Sequence, residues 1–277
     1  MTINVAVLIA CHNRRELTVK AILNLEKYKP ADWQLRYYIF DDGSTDGTGV
    51  KLQENFSNMT YILGDGNNFW AKSMNSAMIA AMTDSINEAY LLMNDDVILN
   101  NKEALMELNN NFLAGRENSI IVGQVYDSIS GEISYGGLKR IGRHPFKTRL
   151  LIANQNVMYA DTFHGNFVLI PRKIALSIGP IDGSYAHAYA DFDYGYRARE
   201  QGFQIEVSPG YVGYCDFNNT LDIQNSFLYL KRLLSKKGRP IKSHLKFSKR
   251  FGGVEWPIYF VWGYVNSIFY AIRMLKK

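Results

Sequence analysis

The sequence predicts an α/β protein, a mostly parallel sheet flanked by helices with a helical appendage at its C-terminal end. Apolar runs rich in β-branched residues alternate with segments of helical period over residues 1–100, the pattern of strands joined by crossover helices. Those runs stop abruptly in loops of Asp, Asn and Gly, and in an open α/β sheet the carboxyl ends of the strands form the edge where ligands bind. At 277 residues the chain is long enough for one large domain with an appendage, or for two modest domains.

Residues 5–10, VAVLIA, are the first predicted strand, and Cys11–His12–Asn13 lead from it into a helix whose Leu17, Ala21, Ile22 and Leu25 share a face. LRYYIF (35–40) is the second strand, ending at Asp41–Asp42–Gly43–Ser44. A short strand at Tyr61–Leu63 precedes the loop GDGNNFW (64–70), after which Met74, Ala77, Met78 and Ala81 mark a helix. That helix runs into YLLMNDDVIL (90–99), a buried strand that ends in an amide and two carboxylates. Farther on, the pattern predicts a helix near 102–114, a strand at 119–125, a Gly-rich, hairpin-like stretch over 131–142 and a strand at 167–171. YADFDYGYRAREQGFQIEV (189–207) reads as a helix stopped by Gly202 and followed by a strand.

Composition narrows the function classes. The 47% apolar and 21% charged shares are those of a globular protein. Cys11 and Cys215 are the only cysteines and lie far apart, so neither a disulfide framework nor a structural zinc site is expected, and a reducing cytoplasm fits. The opening MTINVAVLIACHNRR has too short an apolar run, and no preceding positive charge, for an export signal. Charge is uneven: residues 1–220 hold 19 Lys+Arg against 24 Asp+Glu, whereas 221–277 hold 12 against 2. A mildly acidic body with a basic tail points to one localised anionic partner rather than to nucleic acid. Residues 231–250 carry nine Lys+Arg and no acid, and 256–272 are uncharged and aromatic, which suits the surface of an anionic bilayer. Packing on the body, an oligomer interface and a true span remain alternatives, the last disfavoured by length and by Gly263, Asn266 and Ser267.

Three segments carry candidate chemistry. FDDGSTDGT (40–48) is either a solvated turn or a carboxylate cluster that accepts hydrogen bonds from a nucleobase. Asn94–Asp95–Asp96 is either a strand-end turn or a set of hard oxygen donors for magnesium or manganese shared with phosphates. Asp191 is a helix cap or a general base, while Asp193 and Arg197, four apart, can form an ordinary surface pair. His164 is an acid/base or metal-ligand candidate, or a packed side chain. No Gly-x-Ser-x-Gly, Walker or His-Glu-x-x-His motif occurs, so serine hydrolases, P-loop phosphotransferases and zinc proteases lose their usual support.

Taken in order, VLIACHNR, DDGSTDGT, GDGNNFWAKSMNSAM, NDDV and ADFDYGYRAREQGF resemble the family 2 glycosyltransferases, nucleotide-sugar enzymes of GT-A fold, over about residues 1–216. The resemblance implies a GT-A domain over 1–220, with a nucleotide-sugar half (1–98) and an acceptor half (99–220), followed by the tail 221–277. It implies that Asp41 or Asp42 reads nucleobase and ribose beside the Cys11–His12–Asn13–Arg14 loop, and that Trp70, Asn75, Asn94 and Asp95 face the donor. Asp96 would hold Mn2+ or Mg2+ next to the pyrophosphate, Asp191 would be the catalytic base, and His164 and Asp193 would lie on the acceptor side. The reaction implied is inverting transfer of a hexosyl or rhamnosyl unit from a nucleotide sugar to a glycan or lipid-linked acceptor in surface polysaccharide synthesis. The place implied is the inner face of the cell membrane, as a peripheral protein and candidate homo-oligomer. Three departures stand out: Asn94 where an acid is frequent, Ala190 where Glu is common before the base, and GYVGYCDFN where many relatives carry a further metal-binding His. A sugar-phosphate nucleotidyltransferase and an inactive glycosyltransferase-fold scaffold remain the other readings.

Overall fold

The computed structural model describes residues 2–115, 118–186, 188–217, 226–235 and 238–274. Its first half winds through β1 (Ile3–Cys11), α1 (Arg15–Tyr28), β2 (Trp33–Asp41), α2 (Thr48–Asn55), β3 (Met59–Leu63), α3 (Phe69–Thr83) and β4 (Ala89–Met93). β1 pairs in parallel with β2 and β4, and β2 with β3. Val5, Val7 and Ile9 enter one core and Ala6 and Leu8 the other, which is why β1 reads as an unbroken apolar run: both sheet faces are covered by helices.

The second half continues with β5 (Ile98–Leu99), α4 (Lys102–Gly115), β6 (Ser119–Tyr126), β7 (Ile133–Tyr135), β8 (Gly137–Arg140), β9 (Thr148–Leu150), β10 (Met158–Tyr159), β11 (Thr162–Phe163), β12 (Phe167–Pro171), α5 (Arg172–Ile178), α6 (Ala190–Glu200) and β13 (Gln204–Tyr214). The main sheet runs β10-β13-β6-β12-β4-β1-β2-β3, and β8, β9 and β11 form a separate antiparallel sheet. β12 lies antiparallel between β4 and β6, while β13 and β6 are parallel. The register that sets Phe167 opposite Met93 matters most for function. It brings the residues entering β12 alongside those leaving β4, so the Asn94 N–H donates to the Asn166 carbonyl at 3.0 Å.

The tail holds α7 (Ser226–Leu234), α8 (Ile241–Phe251), a short 3-10 turn (Gly253–Glu255) and α9 (Trp256–Met274); the expected boundary at 220/221 lies outside the described residues. α9 turns Gly263, Tyr264, Ser267 and Ala271 inward and exposes Ile258, Val261, Trp262, Ile268, Phe269 and Ile272. Among the described residues no helix is long and apolar enough to cross a membrane.

Three local expectations need correction. The Gly-rich stretch 131–142 is not a hairpin, because β7 pairs with β6 and β8 with β9 and β11. Leu17 is 45% exposed, and Thr18 takes the inward place on α1, its hydroxyl donating to the Arg14 carbonyl at 2.9 Å. The pair of Asp193 and Arg197 is not on the surface: Asp193 is fully buried, with Arg197 Nε at 2.7 Å and Arg250 Nη1 at 3.2 Å. The second guanidinium comes from α8, more than fifty residues downstream, which helical spacing within α6 could not reveal.

Candidate active site

The ends of β1 and β2 are tied into one unit. Cys11 lies opposite Asp41; burial, reinforced by Asp41 and Asp95, pushes its thiol far up, so it packs and does not ionise. His12 Nδ1–H donates to the Asp42 carbonyl at 2.7 Å. Asn13 adopts a left-handed φ of 51°, a conformation Asn tolerates better than most residues. In that pose its N–H reaches Ser44 Oγ at 2.8 Å and its Oδ1 accepts the Thr45 N–H at 2.7 Å.

Asp41 and Asp42 are both buried, and protein donors already engage them. Asp41 accepts the Ser44 N–H at 2.8 Å and the Tyr61 hydroxyl at 2.7 Å. Asp42 accepts the N–H groups of Gly66, Asn68 and Phe69 and the Asn68 side-chain amide, all within 3.2 Å. An ionised carboxylate offers about four acceptor positions, so Asp42 is filled by the loop that opens α3. Burial works against its charge, but the Asn68 amide and those N–H groups prevail and hold it below the usual carboxylate range. Its visible role is to fix the 64–70 loop and hence Trp70.

Asp95 and Asp96 share one cation. Arg14 Nη1 lies 2.9 Å from Asp95 Oδ1 and 2.7 Å from Asp96 Oδ2. Burial pushes Asp95 up to about 7 against the pull of Arg14, and the neighbouring Asp96 adds to the rise. Asp96 Oδ1 accepts from the Cys215 thiol at 3.2 Å, and Cys215 Sγ in turn accepts from the Asn166 amide at 3.4 Å. Asn94 Oδ1 accepts the Trp70 indole N–H at 3.0 Å, which joins α3 to the end of β4.

Asp191, the second residue of α6, faces a cavity of about 290 Å³ whose walls include Trp70, Asn94, Tyr135, His164, Asn166 and Phe192. The carboxylate accepts the Gly165 N–H at 3.2 Å and the Phe192 N–H at 2.9 Å. Burial raises it to about 6, and the two N–H groups only moderate the rise. His164 is held neutral, its pKa lowered to about 4 by burial. The Gly136 N–H approaches His164 Nδ1 at 3.5 Å, so Nε2 is left as an N–H donor. The imidazole stands edge-on to Tyr135 with centroids 5.3 Å apart. Gly165 is required here: a Cβ would fall 2.6 Å from the Trp70 ring.

Thus Asn94 and Asp191 open onto the same cavity, and the chain Asn166–Cys215–Asp96 links the carboxylate pair to it. Two expected site residues face elsewhere. Asn75 lies five residues past Trp70, about 140° around α3, and donates to the Ile181 carbonyl at 2.5 Å. Asp193 lies two residues past Asp191, on the inner side of α6, with Arg197, Arg250 and the Tyr185 hydroxyl. Sequence reasoning missed Cys215, a lone cysteine with no local signal, and Tyr61 and Asn68, whose partners come from β2.

Could these residues hold a divalent cation? Among the described residues no three His, Cys, Asp or Glu side chains gather around one point, so a closed protein cage is not built. Magnesium-type ions, however, use one or two carboxylates and fill the remaining positions with water and phosphate oxygens. Asp96, with Asp95 behind it, fits that open arrangement, and the guanidinium lying across both shows that the spot favours positive charge.

The family model for glycosyl transferase family 2 matches residues 6–175. No curated protein matches the sequence. Among solved structures, the chain is similar to a mannosyltransferase from Pyrobaculum calidifontis in complex with GDP-Man and Mn2+, with a TM-score of 0.60 at 14% identity, covering 100% of this chain and 75% of that one. It is similar also to GalNAc-T7 with UDP, GalNAc and Mn2+, with a TM-score of 0.61 at 10% identity over 92% of this chain; it spans about half, 53%, of that protein's length. The fold is GT-A, and the chain belongs to glycosyl transferase family 2.

Proposed function

We propose that this family 2 member is an inverting, metal-dependent glycosyltransferase that moves a hexosyl or rhamnosyl unit from a nucleotide sugar to a hydroxyl of a glycan or lipid-linked acceptor. The observation that carries this reading is one cavity edged by Asn94 of the carboxylate segment and by Asp191. The two solved neighbours are complexes with Mn2+ and with GDP-Man or with UDP and GalNAc. Asp96, backed by Asp95, would hold such an ion. When bound it supplies positive charge that stabilises a leaving diphosphate without proton transfer.

The chain's own residues do the rest. Asp191 accepts the proton of the acceptor hydroxyl as that oxygen attacks the anomeric carbon, while the bond from that carbon to the diphosphate oxygen breaks on the opposite face. A carboxylate raised to about 6 is ionised at neutral pH yet more basic than an ordinary aspartate, the compromise general-base catalysis favours. Trp70 walls the cavity and is held in place by Asn94. His164 presents Nε2–H to a sugar hydroxyl.

The same reading places the tail on an anionic membrane surface, near a lipid-carried acceptor. Its support is the apolar stripe exposed along α9 beside the exposed Lys242 and Lys249 of α8, the combination that interfacial helices use. The test incubates purified protein with a panel of nucleotide sugars, Mn2+ and a glycan-lipid extract, following nucleoside diphosphate release and the anomeric configuration of the product. Release with inverted configuration is expected; silence across a broad panel, or retention, overturns the reading.

A further inference from the structure

The residue two places before Asp191 is in an unusual conformation. Tyr189 has φ 78° and ψ −12°, a left-handed pose that bulky side chains adopt only when their surroundings enforce it. Its side chain is packed against the tail and the loop after β8. The Tyr189 ring stacks on Phe247 of α8 with centroids 5.1 Å apart and meets Phe146 edge-on at 5.4 Å. Its hydroxyl is hydrogen-bonded to His244 Nδ1 at 3.2 Å. Burial holds His244 neutral, with its pKa lowered to about 4.

The rest of that α8 face grips the same segment. Ser243 Oγ accepts the Ala186 N–H at 3.1 Å. Lys246 pairs with Asp182 and lies over the Tyr185 ring, 4.8 Å from its centroid. Arg250 reaches Asp193, two residues beyond the base. Residues 243, 246, 247 and 250 follow helical spacing, so one stripe of α8 contacts Asp182, Tyr185, Ala186, Tyr189 and Asp193.

We propose that α8 is a working part of the active centre: its Ser243–Arg250 stripe holds Tyr189 left-handed and thereby sets the aim of Asp191, with Tyr189 and His244 as positioning residues. This goes beyond membrane attachment as the task of the tail, and it rests on the reading of Asp191 as the base. Releasing the brace lets the start of α6 relax and water reach the carboxylate. The aspartate then titrates nearer its ordinary range and meets the acceptor hydroxyl less often. The other titratable groups lining that cavity are His164, Tyr135 and Tyr189, and Asp95, raised to about 7 by burial, lies next to Asn94 with Asp96 and Arg14, so the ionisation lost in Asp191→Asn identifies which part of the profile belongs to Asp191.

The test compares four full-length variants, Tyr189→Phe, Tyr189→Gly, His244→Asn and Asp191→Asn. It measures kcat, KM for donor and acceptor, the pH profile of kcat/KM, and calorimetric affinity for nucleoside diphosphate with Mn2+. Tyr189→Gly keeps a backbone that accepts positive φ and removes the ring; it should lower kcat about 10- to 100-fold, the scale of a misplaced catalytic group, and move the profile to lower pH. Tyr189→Phe and His244→Asn should show the same shifts in smaller measure, and nucleotide affinity should hold in all four. Wild-type kcat and an unmoved profile in Tyr189→Gly and His244→Asn overturn the brace. Undiminished turnover in Asp191→Asn overturns instead the assignment of the base. Should Tyr189→Gly fail to fold, Tyr189→Phe and His244→Asn, which keep most of the packing, decide the matter.

Discussion

Asp42 and Asp191 are two largely buried carboxylates in one molecule, and their surroundings drive them in opposite directions. Asp42, at the end of β2, receives four donor groups from a loop that closes around it, and it is held below the usual carboxylate range. Asp191, at the start of α6, receives two backbone N–H groups at one wall of a partly aromatic cavity, and burial raises it to about 6. Hydrogen bonds that fill every lone pair make a carboxylate a fixed strut, whereas burial with spare lone pairs makes it a base. The contrast is between Asp42, saturated with donors, and Asp191, buried with few of them.

The difference can be broken first at Asp191, the proposed base. Asp191→Asn, nearly equal in shape, should lower kcat by about 10²- to 10⁴-fold, the range for loss of a general base, with nucleoside diphosphate affinity unchanged by calorimetry. Removing the strut should instead be felt in stability. Asp42→Ala leaves the N–H groups of Gly66, Asn68 and Phe69 without an acceptor, and a cost of about 3 kcal/mol follows for stranded donors of this kind, measured by urea unfolding at pH 7. The sign with pH is fixed: a carboxylate depressed in the folded state stabilises above its unfolded pKa and loses that contribution as pH falls through its folded pKa. The gap between wild type and Asp42→Ala should therefore narrow below pH ~4.

Arg14 sharpens the comparison between the two sides. With its guanidinium across Asp95 and Asp96, the carboxylate pair is partly neutralised from within; Arg14→Ala should bind Mn2+ alone more tightly, about tenfold, because a competing cation is gone. Calorimetry without nucleotide reads this directly, and equal affinity in both proteins would show that Arg14 does not compete. The smallest effect is expected at the tail. Trp262→Ser with Phe269→Ser should weaken sedimentation with anionic vesicles several-fold, while turnover on a soluble acceptor stays the same.

Much of the fold was legible because its periodicities are local. β1, β2, β4 and α3 follow from apolar runs and from Met74, Ala77, Met78 and Ala81, all buried on one face. α2 was not, since Gly47, Thr48 and Gly49 read as turn; a Cβ at Gly49 would meet the Tyr61 hydroxyl that bonds Asp41. The β8, β9 and β11 sheet was hidden in short segments containing Lys139, Arg140 and Arg149, whose strand character depends on pairing across the chain. At the site, residue types at strand ends pointed to the carboxylates, but not to their partners. Whether Asp42 is open or filled depends on Asn68, whether Asp193 is exposed depends on α8, and the thiol on Asp96 comes from a lone cysteine 119 residues away. Family membership set aside the nucleotidyltransferase reading, for which the Cys11–Arg14 loop, bound down by residues 42–45, offers no glycine-rich phosphate cradle.

The pH dependence of kcat/KM bears most directly on the central claim, that a carboxylate raised by burial takes the acceptor's proton. With donor and Mn2+ saturating, the rate should rise with pH through an ionisation near 6, as Asp191 loses its proton, and Asp191→Asn should abolish that ionisation together with the rate. A profile with no ionisation near 6, or an Asn variant that keeps both the rate and the ionisation, would contradict the account.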